Sequence, residues 1–178
     1  MKAMVLETVT RLPDNATPLT LVDRPIPEPG PGEIRIRVSA CGVCHTELDE
    51  IEGRAPPPRF PMIPGHQVVG RVDKSGTDTN LGDRVGVAWI FSACGTCRYC
   101  REGLENLCPD FKATGRDADG GYAEFMVVPA DFVHPIPDAF TDVEAAPLLC
   151  AGAIGYRSLR LARPFDGMRL GLTGFGGS

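Results

Sequence analysis

Alternating hydrophobic and polar positions dominate the first 140 residues. Residues 34–39, Ile-Arg-Ile-Arg-Val-Ser, alternate strictly, which is typical of a strand with one buried face. Short apolar runs bounded by glycine and proline predict further strands at residues 4–9, 19–22, 68–72, 84–89 and 122–128. This order predicts a mostly antiparallel barrel or sandwich that extends through about residue 140.

The pattern changes to a helical one after that point. Thr141 and Glu144 have the spacing of a capping box, in which each side chain accepts a hydrogen bond from a free backbone amide at a helix start. Helical periodicity then continues to about residue 162, with breaks predicted near Pro147 and Gly152, and Pro164 should stop the helix.

Composition narrows the class of protein. The chain has 178 residues and a net charge of -5, and it contains no long basic run, so a nucleic-acid partner is not expected. Neither a signal peptide nor a membrane span is predicted. Seven cysteines, four of them within residues 94–108, favour metal binding in a reducing compartment over disulfides, and we therefore expect a cytoplasmic protein.

One dense group of cysteines has the spacing of a metal site. It is a C-x2-C-x2-C-x7-C run formed by Cys94, Cys97, Cys100 and Cys108. Four thiolates in a polar loop make a closed tetrahedral zinc site that stabilises a lobe too small to fold by burial alone. Four unligated thiols and an iron–sulfur cluster are the alternatives. Pro109 follows the fourth cysteine as in ferredoxins, but those have three residues rather than seven before that cysteine.

A second, dispersed set could form a catalytic zinc site. Cys44, His66 and Cys150 offer two thiolates and an imidazole, and three protein ligands with one open position define a catalytic zinc. The alternatives are three unrelated core residues, or a Cys44 nucleophile with His45 as its base. Because a sequence shows no distances, the residues alone leave these interpretations open.

The last residues resemble the start of a dinucleotide-binding motif. Residues 168–173 predict a strand, and Gly174, Gly176 and Gly177 follow it, as in a turn that receives a pyrophosphate at a helix N-terminus. The helix, second strand and ribose-binding acid of such a motif are not among the 178 residues. On its own this chain is therefore expected not to bind a dinucleotide in the usual way.

Together these motifs resemble the zinc-dependent medium-chain alcohol dehydrogenases, especially the propanol-preferring bacterial group. Cys44-His-Thr, Gly65-His66-x-x-x-Gly70, the four-cysteine lobe, Cys150-Ala-Gly and the final glycine turn occur in the family's order. The resemblance covers essentially all of the chain but only the first half of a family member. It implies a mainly β fold with some α: a GroES-like catalytic domain, a partly open β-barrel with a zinc lobe, at residues 1–150. Residues 151–178 would then be the linking helix and first strand of an incomplete dinucleotide-binding domain.

The resemblance also implies roles for individual residues. Cys44, His66 and Cys150 would hold the catalytic zinc, and the four-cysteine lobe the structural zinc. Thr46 would take the alcohol proton and line the substrate pocket with Trp89. His45, Gly174, Gly176 and Gly177 would bind the cofactor.

Four positions depart from the family's commonest pattern. Glu47 replaces an Asp that orients the motif histidine, and it should do the same for His66 with a longer side chain. Gln67 replaces a Glu that can occasionally bind the zinc. Asp49 stands where a His often ends the proton relay, and Ile154 replaces a Thr beside the nicotinamide.

The expected function is oxidation of a primary alcohol to an aldehyde by hydride transfer to NAD(P). Two zinc ions per chain are expected, and the partners are small alcohols and aldehydes, with a homo-oligomer left open. We expect the chain to be a truncated product or fragment that is inactive alone. A noncatalytic zinc-binding module, which keeps the fold and metal without turnover, is the alternative.

Overall fold

The computed structural model describes residues 1–173, so the predicted cofactor-binding Gly174, Gly176 and Gly177 lie outside the described residues. The strands are β1 (Lys2–Leu6), β2 (Leu19–Asp23), β3 (Glu33–Gly42), β4 (Gln67–Ser75), β5 (Arg84–Val87), β6 (Ile90–Ser92), β7 (Lys112–Ala113), β8 (Phe125–Pro129) and β9 (Val133–Pro135). The α-helices are α1 (His45–Ile51), α2 (Arg98–Arg101), α3 (Asp142–Ala145) and α4 (Ala151–Ala162). Three short 3-10 turns are Glu105–Leu107, Ala130–Phe132 and Ala146–Leu149.

A five-stranded sheet in the order β8-β3-β4-β5-β9 forms the centre of the fold. All its pairings are antiparallel, and two smaller sheets, β1-β2 and β6-β7, lie beside it. Within residues 1–173 the central sheet is not closed into a barrel. The expected mainly β fold with some α is confirmed, with a central sheet that stays open.

The buried face of the sheet follows from the alternation in β3. Ile34 and Ile36 are fully buried and pack with Val68 of β4 and Met126 of β8, whereas Arg37, which follows Ile36, is exposed. Burial of each such side chain contributes on the order of 2 kcal/mol.

One glycine lets β3 and β4 approach where the ladder is irregular. Gly70 pairs with Val38 beside a register shift, and a Cβ there would lie 2.3 Å from the carbonyl oxygen of Arg37. A residue with a side chain would force the strands apart, which explains the glycine of the Gly-His-x-x-x-Gly motif.

The predicted strands at 19–22, 34–39, 68–72 and 84–89 are present with shifted ends. The first strand ends at Leu6 rather than residue 9, and the strand predicted at 122–128 begins at Phe125. Strands β6, β7 and β9 were not predicted because each has three residues or fewer. His134 lies in β9 opposite Gly86.

The capping box is confirmed, since Glu144 N–H donates to Thr141 Oγ1 and Thr141 N–H donates to the Glu144 carboxylate. The helical region breaks at Cys150, and α4 ends at Ala162, with Arg163 in the left-handed region at φ 48°. The strand predicted at 168–173 is wrong, because those residues pair with no described strand. The division into domains at residue 150 stays a prediction.

None of the helices in residues 1–173 is both long and apolar enough to cross a membrane.

Candidate metal centres

Three donors from distant parts of the chain meet at one end of β3 and β4. Cys44 follows β3, His66 directly precedes β4, and Cys150 lies between a 3-10 turn and α4. Their ligand atoms all lie within 4.8 Å of one another, and Cys44 Sγ is 3.5 Å from His66 Nε2. His66 is completely buried, while both cysteines are partly buried.

Cys44 also begins helix α1, which the strand pattern did not predict. Its Sγ accepts a hydrogen bond from Thr46 N–H at 3.3 Å, and its own N–H donates to Glu47 Oε2 at 2.8 Å. This is a capping box with a cysteine in place of serine or threonine. The Cys-x-x-Glu spacing was the signal that would have revealed the helix.

Glu47 holds the imidazole of His66 from behind. Glu47 Oε1 is 2.6 Å from His66 Nδ1, both side chains are buried, and neither atom makes another hydrogen bond within residues 1–173. Burial by itself would raise the pKa of Glu47, but the contact with His66 outweighs it and the pKa is lowered. Because Nδ1 contacts Glu47, Nε2 is the ring nitrogen that is available to bind a metal ion together with Cys44 and Cys150.

The donors fit a tetrahedral zinc ion. Ligand atoms at 2.0–2.3 Å from zinc stand ~3.3–3.8 Å apart. The 3.5 Å between Cys44 Sγ and His66 Nε2 lies in this range. Burial, followed by the charge of Cys44, raises the pKa of Cys150 to about 11, so the two thiolates are costly together until a divalent cation neutralises them.

Aromatic and polar side chains surround this cluster. The Trp89 ring meets His66 edge to face with centroids 5.1 Å apart, and Phe111 lies 6.3 Å beyond it. Gln67 is buried with its Nε2 unpaired within the described residues. Asp49 contacts His45 Nε2 at 3.6 Å and also pairs with Arg54.

Ile154 is half exposed on α4. Cys41 is partly buried against the main core, and burial raises its pKa to about 12.

The four cysteines of the lobe form the second cluster. Cys100 Sγ lies 3.9 Å from Cys94 Sγ and 3.5 Å from Cys97 Sγ, and all four sulfurs lie within 4.8 Å of one another. Backbone amides of Thr96 and then Cys97 lower the pKa of Cys94 to about 6, which favours the thiolate that metals require. This geometry fits a closed tetrahedral site.

Two residues near the first cluster, Glu50 and Arg116, were not identified as candidate site residues from the sequence. Glu50 of α1 is 1% exposed, and neither of its carboxylate oxygens has a hydrogen-bond partner within residues 1–173. The Arg116 guanidinium lies 5.9 Å from the centroid of the Trp89 ring. Neither residue lies in a recognisable motif, because the surroundings of both are set by contacts that form only in the folded chain.

Comparison with known proteins agrees with this geometry. The alcohol dehydrogenase GroES-like domain matches residues 30–138. The Mycobacterium tuberculosis protein named probable alcohol dehydrogenase AdhA is 52% identical over 174 residues, which cover 93% of this chain and 50% of that protein. The chain spans about half the length of the curated relatives it matches.

Two solved structures share the fold. A cobalt- and zinc-bound thermostable alcohol dehydrogenase from Pyrobaculum aerophilum has a TM-score of 0.76 at 32% identity, covering 88% of this chain and 48% of that one. An acetophenone reductase from Geotrichum candidum in complex with NAD has a TM-score of 0.78 at 29% identity, covering 92% and 48%. The chain belongs to the zinc-dependent medium-chain alcohol dehydrogenase family. It corresponds to the N-terminal, GroES-like part of these proteins.

Proposed function

We propose that these residues form the catalytic part of an alcohol dehydrogenase that oxidises a primary alcohol to an aldehyde with NAD(P). The observation that supports this most strongly is the convergence of Cys44, His66 and Cys150 beside Trp89. Three ligands with an open fourth position are the arrangement of a catalytic zinc, whereas four thiolates make a closed one. Two zinc ions per chain therefore belong to the proposal, with Cys94, Cys97, Cys100 and Cys108 holding the structural ion.

When bound, zinc would supply Lewis acidity to the alcohol oxygen and the nicotinamide would accept the hydride. The chain's own residues would prepare the site for this chemistry. Glu47 orients His66 through the 2.6 Å contact, and the indole of Trp89 shields one side of the imidazole from water. Thr46, two residues after Cys44, is the proposed acceptor of the alcohol proton.

The cofactor is proposed to lie against the exposed end of α1. The His45 side chain is 75% exposed, and its Nε2 is 3.6 Å from Asp49 Oδ1, so this carboxylate can hold the ring towards an incoming pyrophosphate. Gly174, Gly176 and Gly177 belong to the proposed cofactor site through the family motif alone. NAD is our choice over NADP, with support from the NAD complex of the Geotrichum relative.

A cytoplasmic location is part of the same proposal. All seven cysteines are free thiols in the structure, and six of them belong to the two clusters. Thiolate ligands persist in a reducing compartment, where disulfides do not replace them.

Elemental analysis of the dialysed chain, together with its intact mass, tests the metal assignment. We expect two zinc ions per chain in the wild type and one in Cys150→Ala, with Cys41→Ala as the control that keeps two. Incubation with propanol and NAD then tests the reaction by NADH absorbance at 340 nm. A single zinc ion in the wild type would contradict the metal assignment. Two zinc ions without turnover are the expected result for a chain that is inactive alone, and steady turnover of propanol with NAD would contradict that expectation.

A further inference from the structure

The turn after β7 holds a charged side chain at the edge of the proposed substrate pocket. Thr114 N–H donates to the Trp89 carbonyl at 3.0 Å, and Thr114 Oγ1 donates to the Ala88 carbonyl at 2.7 Å. Gly115 follows with a φ of +81°, and a Cβ on it would lie 2.8 Å from Gly65 N. The turn is thereby packed against the residue that precedes His66 and fixed to the backbone that carries Trp89.

Arg116 is the next residue, and its guanidinium lies over the indole. Its Cζ is 5.9 Å from the Trp89 ring centroid, and the same indole meets His66 at 5.1 Å. The guanidinium is therefore one aromatic ring away from the proposed zinc ligand. The Arg116 side chain is 32% exposed, so it is accessible to a ligand without being free in solvent.

Most of the hydrogen-bonding capacity of Arg116 is unused. Within residues 1–173 its one hydrogen bond to another residue runs from Nη2 to Asp117 Oδ2 at 2.9 Å. That oxygen also accepts from Ala113 N–H at 2.7 Å. An arginine has five N–H donors in a planar fork that matches a carboxylate. The oxygens of Glu50, an acid close enough to feel the charge of Arg116, accept none of them.

We propose that Arg116 is a specificity-determining residue that binds a carboxylate at the far end of the substrate, so that the site accepts ω-hydroxy acids in addition to simple alcohols. The apolar middle of such a substrate lies along Trp89, between the zinc-binding hydroxyl and the guanidinium. This inference rests on the proposed function, because it requires the hydroxyl to bind at Cys44, His66 and Cys150.

A binding experiment tests the proposal without turnover. The chain is loaded with Co²⁺, and the visible spectrum of the three-ligand site is titrated with ω-mercapto carboxylic acids of increasing length and with alkanethiols of matching length. In each probe the sulfur binds the metal and the other end reports on Arg116. For at least one length we expect the acid to bind about tenfold more tightly than the alkanethiol, at the lower end of what a hydrogen bond to a charged group contributes.

Two variants separate the charge of Arg116 from general effects on the fold. Arg116→Met keeps the aliphatic packing and should remove the preference for the acid, whereas Arg116→Lys should retain part of it. Arg37→Met is the matched control, since that guanidinium also lies 5.9 Å from an aromatic ring, Phe125 on β8, and this variant should keep the full preference. An equal preference in wild type and Arg116→Met, or no preference at any length, would overturn the proposal.

The same titration distinguishes this failure from failure of the proposed function. If alkanethiols leave the cobalt spectrum unchanged, the three-ligand site has no accessible metal position, and the proposed function fails together with this inference. If alkanethiols bind and the acids gain nothing, only the role of Arg116 fails. Raising NaCl from 50 to 500 mM gives a further check, because screening should reduce the preference in the wild type.

Discussion

The two cysteine-containing clusters differ in what holds their ligands together. The four-cysteine lobe takes all its ligands from residues 94–108, and neither α2 nor the Glu105–Leu107 turn within it contains a buried residue. The other cluster takes Cys44, His66 and Cys150 from three elements anchored on the central sheet. We therefore expect the lobe to depend on a bound metal for its structure, whereas the geometry of the three-ligand cluster is set by the fold.

The sharpest test of this difference, with the largest expected effect, removes one ligand from each cluster. Cys97→Ser should lose one zinc ion and the amide-exchange protection of residues 93–110, because metal binding supplies the folding free energy of such lobes, about 10 kcal/mol or more in zinc-finger peptides. Cys44→Ser should lose the other zinc ion while residues 45–51 stay protected, since serine is also a good N-cap. Hydrogen exchange with mass spectrometry measures both. Equal loss of protection in the two regions would break the comparison.

The buried carboxyl group of Glu50 makes the stability of the three-ligand region depend on pH, an effect that the exposed lobe does not share. Burial, and then the charge of Glu47, raises the pKa of Glu50 to about 8, and Arg116 offsets this only in part. The other charged neighbours are Asp49 and Asp117.

The sign of the resulting pH dependence follows from the raised pKa. Between pH 4.5 and 8 the folded chain keeps a proton that the unfolded chain releases, so the free energy of unfolding falls as pH rises through this range. We expect Glu50 to account for up to about 5 kcal/mol of that fall, and Glu50→Gln to remove it. Urea unfolding at pH 5 and pH 8.5 measures the difference, with the exposed Glu7→Gln as the control. If the pH dependence of Glu50→Gln matches that of the wild type, Glu50 is ionised in the fold.

The contact between Glu47 and His66 should affect metal affinity at the three-ligand cluster only. Glu47→Gln weakens the support of the imidazole, and loss of such a partner typically costs 10- to 100-fold in metal affinity, or about 1.4 to 2.7 kcal/mol. Competition with a chelator should show this loss at the three-ligand site and none at the four-cysteine lobe. Glu144→Gln is the matched control, because Glu144 closes the same kind of capping box at α3 without touching a ligand. If Glu144→Gln lowers metal affinity by a similar factor, loss of a helix cap, and not loss of the contact with His66, explains the effect of Glu47→Gln.

The smallest expected effect concerns the element that leads to Cys150. Thr141→Ala removes the cap of α3 and should lower the free energy of unfolding by about 1 kcal/mol. Both zinc affinities should stay within about twofold, since α3 ends before the ligand. Thermal unfolding checks the first expectation and chelator competition the second, with the exposed Thr8→Ala for comparison. A tenfold loss at the three-ligand site would show that α3 positions Cys150.

Sequence patterns predicted the elements that have a clear local signature, such as alternating hydrophobic residues or a capping box. The strict alternation of 34–39 predicted β3, and the Thr141 to Glu144 spacing predicted the start of α3. Helix α1 was missed because its N-cap is a cysteine, and β7 because two residues carry no periodicity. Residues 168–173 have the composition of a strand but pair with no described strand, which shows that a strand needs a partner as well as a pattern.

The sequence by itself determined the four-cysteine cluster, because all its ligands lie in one short loop and their spacing defines the site. It also named Cys44, His66 and Cys150 as candidates, and the family resemblance ordered them. Only the tertiary structure brought those three side chains within 4.8 Å, placed Glu47 behind His66, and set Arg116 over Trp89. The physical reason is that these contacts join residues from different parts of the chain, and only the tertiary arrangement of the elements that carry them fixes their distances.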